Sequence, residues 1–156
     1  TLAKLIDQPI IFKTAGSGAS LENPEVKALL EQFGLDKNKV HLLDQVADMP
    51  AFYQSVDAFL LTSITEGFPN VLVEAMASGL PCISTNVGDA KYIVDELGAI
   101  VPPRDPEALA NAIMDYVHSS QTEKLQLKQA SRTRVEQHFS IESVSQQYLD
   151  MWRQGA

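Results

Sequence analysis

Residues 65–79 read TEGFPNVLVEAMASG and follow a short apolar segment, Asp57–Leu61. A glycine and a proline interrupt the regular chain, and the next residues, Val71–Ala77, have the composition of a helix that ends before Gly79. The stretch therefore predicts a strand, a tight loop and a helix that begins directly after the loop. The first turn of a helix presents unpaired backbone N–H groups and a partial positive charge, so this helix start is a candidate anion site.

Two carboxylates flank the predicted helix start, Glu66 in the loop and Glu74 in the helix. Taken singly, each has an ordinary interpretation, because acids near helix starts complement the dipole and loop acids are commonly exposed. Taken together with the amides, they suggest a ligand with a phosphate and several hydroxyl groups, since hydroxyls donate hydrogen bonds to carboxylates. A nucleotide sugar combines these groups.

The composition narrows the class of protein. The chain has 156 residues, 45% of them hydrophobic, which fits one globular domain, and a net charge of −8, which disfavours nucleic-acid binding. Its single cysteine, Cys82, cannot form an internal disulfide, and its position in an apolar run predicts a buried, inert thiol in a reducing compartment. No apolar run approaches the roughly 18 residues of a membrane-spanning helix, so we expect a cytoplasmic protein, or a membrane-peripheral one at full length.

Short apolar segments alternate with helical patterns along the rest of the chain, which predicts an α/β fold with a parallel sheet and helices on both faces. Predicted strands are 9–14, 40–43, 57–61, 81–85 and 99–101; predicted helices are 23–33, 48–53, 71–77, 89–96, 107–117, 121–139 and 141–152. Ligands of such sheets bind at the carboxyl ends of the strands. The loops at Gly16–Gly18 and Asp44–Val46, after the first two strands, should therefore share a rim.

Residues 66–88, EGFPNVLVEAMASGLPCISTNVG, resemble the signature of retaining glycosyltransferases with the GT-B fold in the glycosyl-transferase group 1 family. The mark of that signature is two glutamates separated by seven residues, here Glu66 and Glu74. Residues 40–46, 53–58 and 98–109 are similar to family segments in the same order. The resemblance implies a Rossmann-like lobe of a GT-B enzyme, with residues 1–156 as its C-terminal, donor-binding domain truncated on the N-terminal side.

The resemblance also implies roles for individual residues. Glu66, at the donor sugar, is the candidate catalytic residue, and Glu74 is placed at the ribose hydroxyls. The remaining donor-binding positions are Gly67 and Phe68 against the sugar, the amides of Asn70, Val71 and Leu72 at the distal phosphate, Gln45 and Val46 at the base, and Gly16 and Gly18 facing the nucleotide. The glycine pair has an equally good local explanation, because a strand-to-helix turn needs glycines too.

The implied reaction transfers a glycosyl group with retention at the anomeric carbon, without a cofactor and without a required metal. The sequence has no Asp-x-Asp and no His/Cys cluster at ligand spacing. Family members carry a strand with an arginine, and then a lysine, upstream of this chain's first residue. We therefore expect the lobe to lack its first strand, which would interrupt or re-pair the sheet and expose an edge that invites homodimers. Tyr92 stands where the family often has glutamate.

Two other functions remain open from the sequence. A nucleotide-sugar 2-epimerase has the same fold but needs further acid and base residues, and a non-catalytic module would keep only a binding surface. A nicotinamide dehydrogenase is excluded, because Gly16-Ser17-Gly18 lacks the third glycine of the dinucleotide fingerprint. The expected partners are a nucleotide-sugar donor and an N-terminal acceptor lobe, without direct membrane insertion.

We predict that residues 1–156 do not transfer sugar on their own, because the implied basic strand and acceptor lobe lie outside them. A product assay with nucleotide sugars and a glycan or lipid acceptor measures this. Full turnover by the 156-residue chain would contradict the prediction.

Overall fold

The computed structural model describes residues 5, 7–35 and 38–154. The chain divides into two compact units, Thr1–Val56 and Asp57–Ala156, and each is described by itself. A single domain over residues 1–156 stays a prediction. The sequence also predicts the tail of a helix over residues 1–7, of which residues 1–4 and 6 lie outside the described residues.

The first unit contains a parallel pair of strands, β1 (Phe12–Thr14) and β2 (Val40–Leu42), with Phe12 opposite Val40. Its helices are α1 (Pro24–Gln32) and α2 (Met49–Gln54). All four elements occur where the sequence predicts them, and both strands are shorter than predicted. Strand ends depend on which residues find a ladder partner, and this tertiary property has no local sequence signal.

Helix α1 shows why helix bounds are easier to predict. The Asn23 side chain accepts a hydrogen bond from the Glu25 amide, and Pro24 occupies the first helical position. At the other end Gly34 has φ +62°, and the Leu35 amide donates to the Leu30 carbonyl. These are the asparagine cap, the proline start and the left-handed glycine stop that the residue types favour.

The second unit contains a three-stranded parallel sheet in the order β3–β4–β5, flanked by five helices. The strands are β3 (Phe59–Leu61), β4 (Cys82–Thr85) and β5 (Ala99–Val101); the helices are α3 (Asn70–Ala77), α4 (Ala90–Val94), α5 (Pro106–His118), α6 (Gln121–His138) and α7 (Ile141–Gln154). Helices cover both sides of the sheet, which confirms the predicted α/β class. The strands of the described residues form two sheets, one in each unit. The expected loss of the first strand of the lobe stays a prediction.

The core of the second unit surrounds β4, all four residues of which are buried. Helix α3 packs against the sheet, α4 and α6, and its Leu72, Ala75 and Met76 are fully buried. Cys82 is 1% exposed, and this burial raises the pKa of its thiol to about 12, so the prediction of a buried, inert cysteine is confirmed.

Capping side chains also mark where helices α5 and α6 begin. The Asp105 carboxylate accepts hydrogen bonds from the amides of Glu107 and Ala108 at the start of α5. Helix α6 starts with a reciprocal capping box between Ser120 and Glu123, and hydrogen bonding from the Ser120 side chain and backbone lowers the pKa of the Glu123 carboxyl. None of the described helices is long and apolar enough to cross a bilayer.

Helix α7 leaves its aromatic residues in solvent. Tyr148 is 67% exposed and Trp152 is 81% exposed. No residue of this helix is buried.

Two buried serines differ in their hydrogen bonding, so we expect their substitution by alanine to change stability in opposite directions. Ser131 and Ser84 are both fully buried, but Ser131 Oγ lacks a hydrogen-bond partner within the described residues, whereas Ser84 Oγ donates to the Thr85 carbonyl at 2.9 Å. We expect Ser131→Ala to stabilise the fold by about 1 kcal/mol, because it removes an unsatisfied hydroxyl from a helix. We expect Ser84→Ala to destabilise the fold by about 0.5–1.5 kcal/mol. Urea denaturation measures both changes, and equal losses of stability would contradict the assignment.

Candidate functional site

The start of α3 lacks a side-chain cap. The helix begins at Asn70, one residue earlier than predicted, with Pro69 in the N-cap position. The Leu72 amide donates to the Pro69 carbonyl at 3.0 Å, so this one of the three predicted phosphate amides is already paired. The amides of Asn70 and Val71 form no hydrogen bond within the described part of the chain. Two amides, rather than three, are therefore free to meet an anion.

The carboxylate of Glu66 is held by a neighbour that the sequence analysis did not identify. Ser63 Oγ donates to Glu66 Oε1 at 2.7 Å. The carbonyl of Ser63 in turn accepts a hydrogen bond of 2.7 Å from Thr85 Oγ1 at the end of β4. The exposed Glu66 side chain is therefore connected to the end of the central strand through Ser63.

Glu74 lies beyond the first turn of its helix. It is the fifth residue of α3, it is exposed, and the first turn of α3 contains no acid. Compensation of the helix dipole acts within the first turn, so the ordinary interpretation of Glu74 as a dipole partner does not fit its position. The Glu74 side chain is exposed at this position, and its contact with a ribose stays a prediction.

The loop at Glu66 and Gly67 is packed directly against the loop that follows β4. The Asp89 amide donates to the Gly67 carbonyl at 3.0 Å, and Gly88 has φ +49°. A β-carbon on Gly88 would lie 1.9 Å from the carbonyl oxygen of Gly67 and 2.6 Å from that of Glu66. Only glycine fits at position 88, a requirement that the sequence alone did not reveal.

Phe68, the next residue of this loop, is 44% exposed. Its ring meets the edge of Phe139, which caps the C-terminal end of α6. Tyr92, which stands where the family often has glutamate, packs its ring beside Phe139 and beside the guanidinium of Arg134. Arg134 forms an ion pair with Asp95.

The predicted residues of the first unit are joined by Asp44. The Gly16 amide donates to the Asp44 carbonyl at 2.6 Å, and the Gly18 amide donates to Asp44 Oδ1 at 2.9 Å. The loops that follow β1 and β2 are therefore adjacent, as the topology predicted. Gly16 has φ +148° and Gly18 has φ +82°, so the backbone at both positions favours glycine for a local conformational reason.

Gln45 and Val46 follow Asp44 directly, Gln45 exposed and Val46 half-buried. Asp44 itself has φ +47°, a conformation that aspartate tolerates better than most residues. Contact of Gln45 and Val46 with a base stays a prediction.

An open cavity of about 730 Å³ lies in the first unit between α1 and β2. Its volume falls in the range of small-molecule sites, but its lining includes none of the predicted site residues. In the ranges 7–35 and 38–154, together with Leu5, no group of three or more His, Cys, Asp or Glu side chains is arranged to hold a metal ion.

Comparisons with known proteins show the family of the chain. The sequence pattern of the family described as glycosyl transferases group 1 matches residues 1–119. A putative colanic acid biosynthesis glycosyltransferase, WcaL, of Escherichia coli K12 is 28% identical across 95% of this chain and 39% of its own length.

Solved structures show the same architecture. A glycosyltransferase from Rickettsia africae superposes with a TM-score of 0.85 at 26% identity, covering 98% of this chain and 42% of its own. Anabaena HepE in complex with UDP-glucose superposes with a TM-score of 0.80 at 24% identity, covering 97% of this chain and 43% of its own, which supports the fold alone. The chain thus spans about two fifths of these relatives.

The contact between Gly88 and Gly67 predicts a large difference between two glycine substitutions. Gly34→Ala, with φ +62° and open space around it, should cost about 1 kcal/mol for the left-handed backbone alone. Gly88→Ala should cost about 2–4 kcal/mol, because overlap with the Gly67 carbonyl is added to the same backbone penalty. Urea denaturation gives the stabilities, and amide NMR shifts of Glu66 and Gly67 report the loop. Equal costs with an unmoved loop would show that the close approach is unimportant.

Proposed function

Because the chain belongs to the glycosyl transferases group 1 family, we propose that residues 1–156 bind the nucleotide-sugar donor of a retaining glycosyltransferase. The acceptor is bound by a part of the protein outside this chain, which spans 39% of its Escherichia coli relative. The whole enzyme moves a sugar from a nucleoside diphosphate to a glycan, lipid or other acceptor.

The observation that carries the proposal is the uncapped start of α3. It directly follows the loop of Glu66 and Gly67, which is held by hydrogen bonds from Ser63 to the Glu66 carboxylate and from the Asp89 amide to the Gly67 carbonyl. The amides of Asn70 and Val71 are unpaired within the described residues, and exposed carboxylates precede and follow them at positions 66 and 74. Amides of this kind bind phosphate oxygens, and carboxylates bind hydroxyls. The combination supports a ligand that carries both groups.

During transfer, the bond between the anomeric carbon and the diphosphate oxygen breaks, and negative charge develops on the departing diphosphate. The Asn70 and Val71 amides stabilise that charge, because they already point outward from the helix start and need no reorganisation. Glu66, oriented by Ser63, accepts a hydrogen bond from a sugar hydroxyl, and Glu74 accepts from the ribose. The acceptor hydroxyl forms the new bond on the face that the leaving group vacates and passes its proton to the departing diphosphate oxygen, so the configuration is retained.

The proposal assigns no metal or cofactor to the donor site, as the resemblance implied. No residue of the described site specifically favours the alternative 2-epimerase. A non-catalytic module is distinguished by whether donor binding depends on the two acids.

We expect Glu74→Ala to weaken nucleotide-sugar binding by about 1–3 kcal/mol, because hydrogen bonds between the ribose and a charged acceptor are lost. Isothermal titration calorimetry with UDP-glucose, GDP-mannose and ADP-glucose measures the affinity and identifies the preferred base. Glu142→Ala, at an exposed acid in the first turn of α7, is the matched control and should leave the affinity unchanged.

Two results would count against the proposal. One is the absence of binding by all three nucleotide sugars to the unsubstituted chain. The other is an unchanged affinity of Glu74→Ala.

A further inference from the structure

Four side chains connect the loop before α3 to the C-terminal end of α6. They are Phe68 in the loop before α3, Tyr92 in α4, Arg134 in the last turns of α6 and Phe139 at the C-cap of α6. We call them the aromatic–arginine cluster. Only Phe68 belongs to the stretch that resembles the family signature, so nothing in the proposed function assigns a role to the others.

Phe68 has one supported side and one open side. Its ring and the Phe139 ring lie 6.1 Å apart between centroids, with an interplanar angle of 61°. This edge-on arrangement is a favoured geometry for aromatic pairs. Because Phe68 is 44% exposed, the rest of its ring remains accessible beside the Glu66 loop and the start of α3.

Phe139 is itself held from two directions. Its ring meets the Tyr92 ring edge-on, with centroids 5.7 Å apart and an interplanar angle of 84°. The guanidinium carbon of Arg134 lies 5.9 Å from the centroid of each of these two rings. Cation–π attraction at this distance favours one relative position of the three groups.

Arg134 is fixed by the backbone of α4. Its side chain is only 15% exposed, and its Nε donates to the Ile93 carbonyl at 2.8 Å. The same guanidinium donates to the Tyr92 carbonyl and forms an ion pair with Asp95 at 3.1 Å. An arginine whose donors are engaged in this planar fork has little freedom to turn.

We propose that Arg134 and Phe139 are positioning residues for Phe68, and that the end of α6 thereby sets how the sugar of the donor is received. This inference rests on the proposed function and on the position of Phe68 against the sugar, which the family resemblance implies. Among the described residues Phe68 has its ring contact with Phe139, and the edge-on geometry of this contact favours one direction of the Phe68 ring. The nucleotide part of the donor meets other residues and is not affected.

The chain provides a matched control for position 139. Phe33 is also a phenylalanine at a helix C-cap, with nearly the same backbone conformation, but it lies at the end of α1 in the first unit and is 50% exposed. Phe33→Leu removes the same atoms from an equivalent helix position without touching the aromatic–arginine cluster.

The positioning is tested first without any ligand. In NMR spectra with labelled phenylalanine, Arg134→Lys, which keeps the charge and the Phe139 ring but loses the planar fork, should change the nuclear Overhauser contacts of the Phe68 ring with its own loop. Phe139→Leu should change these contacts more strongly, and Phe33→Leu should leave them in place. Unchanged Phe68 contacts in both cluster variants would overturn the inference.

The consequence for the donor is tested by calorimetry with UDP-glucose and with UDP. Phe139→Leu should bind UDP-glucose about three- to tenfold more weakly, the range expected for one lost aromatic contact, with UDP affinity unchanged. Phe139→Tyr, which keeps the ring, should restore UDP-glucose affinity. Equal weakening of both ligands, or of neither, would overturn the link to the sugar. Failure of the unsubstituted chain to bind either ligand would contradict the proposed function, while the NMR experiment still decides the positioning.

Discussion

Helix α3 begins directly after a proline, and the proposed chemistry depends on the hydrogen bonds that this start leaves unmade. Other helices of the chain satisfy their first amides with side chains, those of Asn23, Asp48, Asp105 and Ser120. Pro69 has no side-chain acceptor, so the Asn70 and Val71 amides are left for solvent or for a ligand. Both residues are exposed, and we propose that a phosphate oxygen pairs with these amides.

An uncapped helix start becomes useful only if the groups around it hold their positions. Here the backbone supplies much of that rigidity. Gly88 allows one loop to approach the Gly67 carbonyl at a distance that no side chain permits, and Thr85 and Ser63 connect Glu66 to the end of β4. Preorganised donors and acceptors of this kind lower a barrier without reorganising as charge develops. The aromatic–arginine cluster adds support on the side of Phe68.

Much of this arrangement was predictable because the relevant signals are local. Asn23-Pro24, Asp48 and Asp105-Pro106 mark helix starts within a few residues, and the structure places those starts within one residue of the prediction. The glutamate pair and the sheet class followed from the central stretch and its resemblance. The Leu72 amide donates to the Pro69 carbonyl in an i→i+3 bond, which the sequence does not distinguish from an open turn, and its contact with a phosphate stays a prediction.

What sequence reasoning missed lies between residues that are distant in the chain. Thr85 donates a hydrogen bond to the Ser63 carbonyl, and Gly88 packs against the Gly67 carbonyl. Arg134 donates to the Tyr92 carbonyl, 42 residues earlier in the chain. None of these pairs has a spacing that a helix or strand period would highlight. No signal in the sequence explains a tyrosine at position 92, where the family often has glutamate. In the structure, Tyr92 packs beside Arg134 and Phe139 as part of the aromatic–arginine cluster.

The central claim is most directly tested by following backbone amides during a titration with UDP. In ¹⁵N NMR spectra of the 156-residue chain, the amides of Asn70 and Val71 should show the largest downfield shifts at any helix start. The side-chain-capped amides of Glu25, Glu107 and Ala108 serve as internal references and should not move. Saturable shifts confined to residues 70 and 71 at helix starts are the predicted result. Unmoved Asn70 and Val71 amides at saturating UDP would contradict the account.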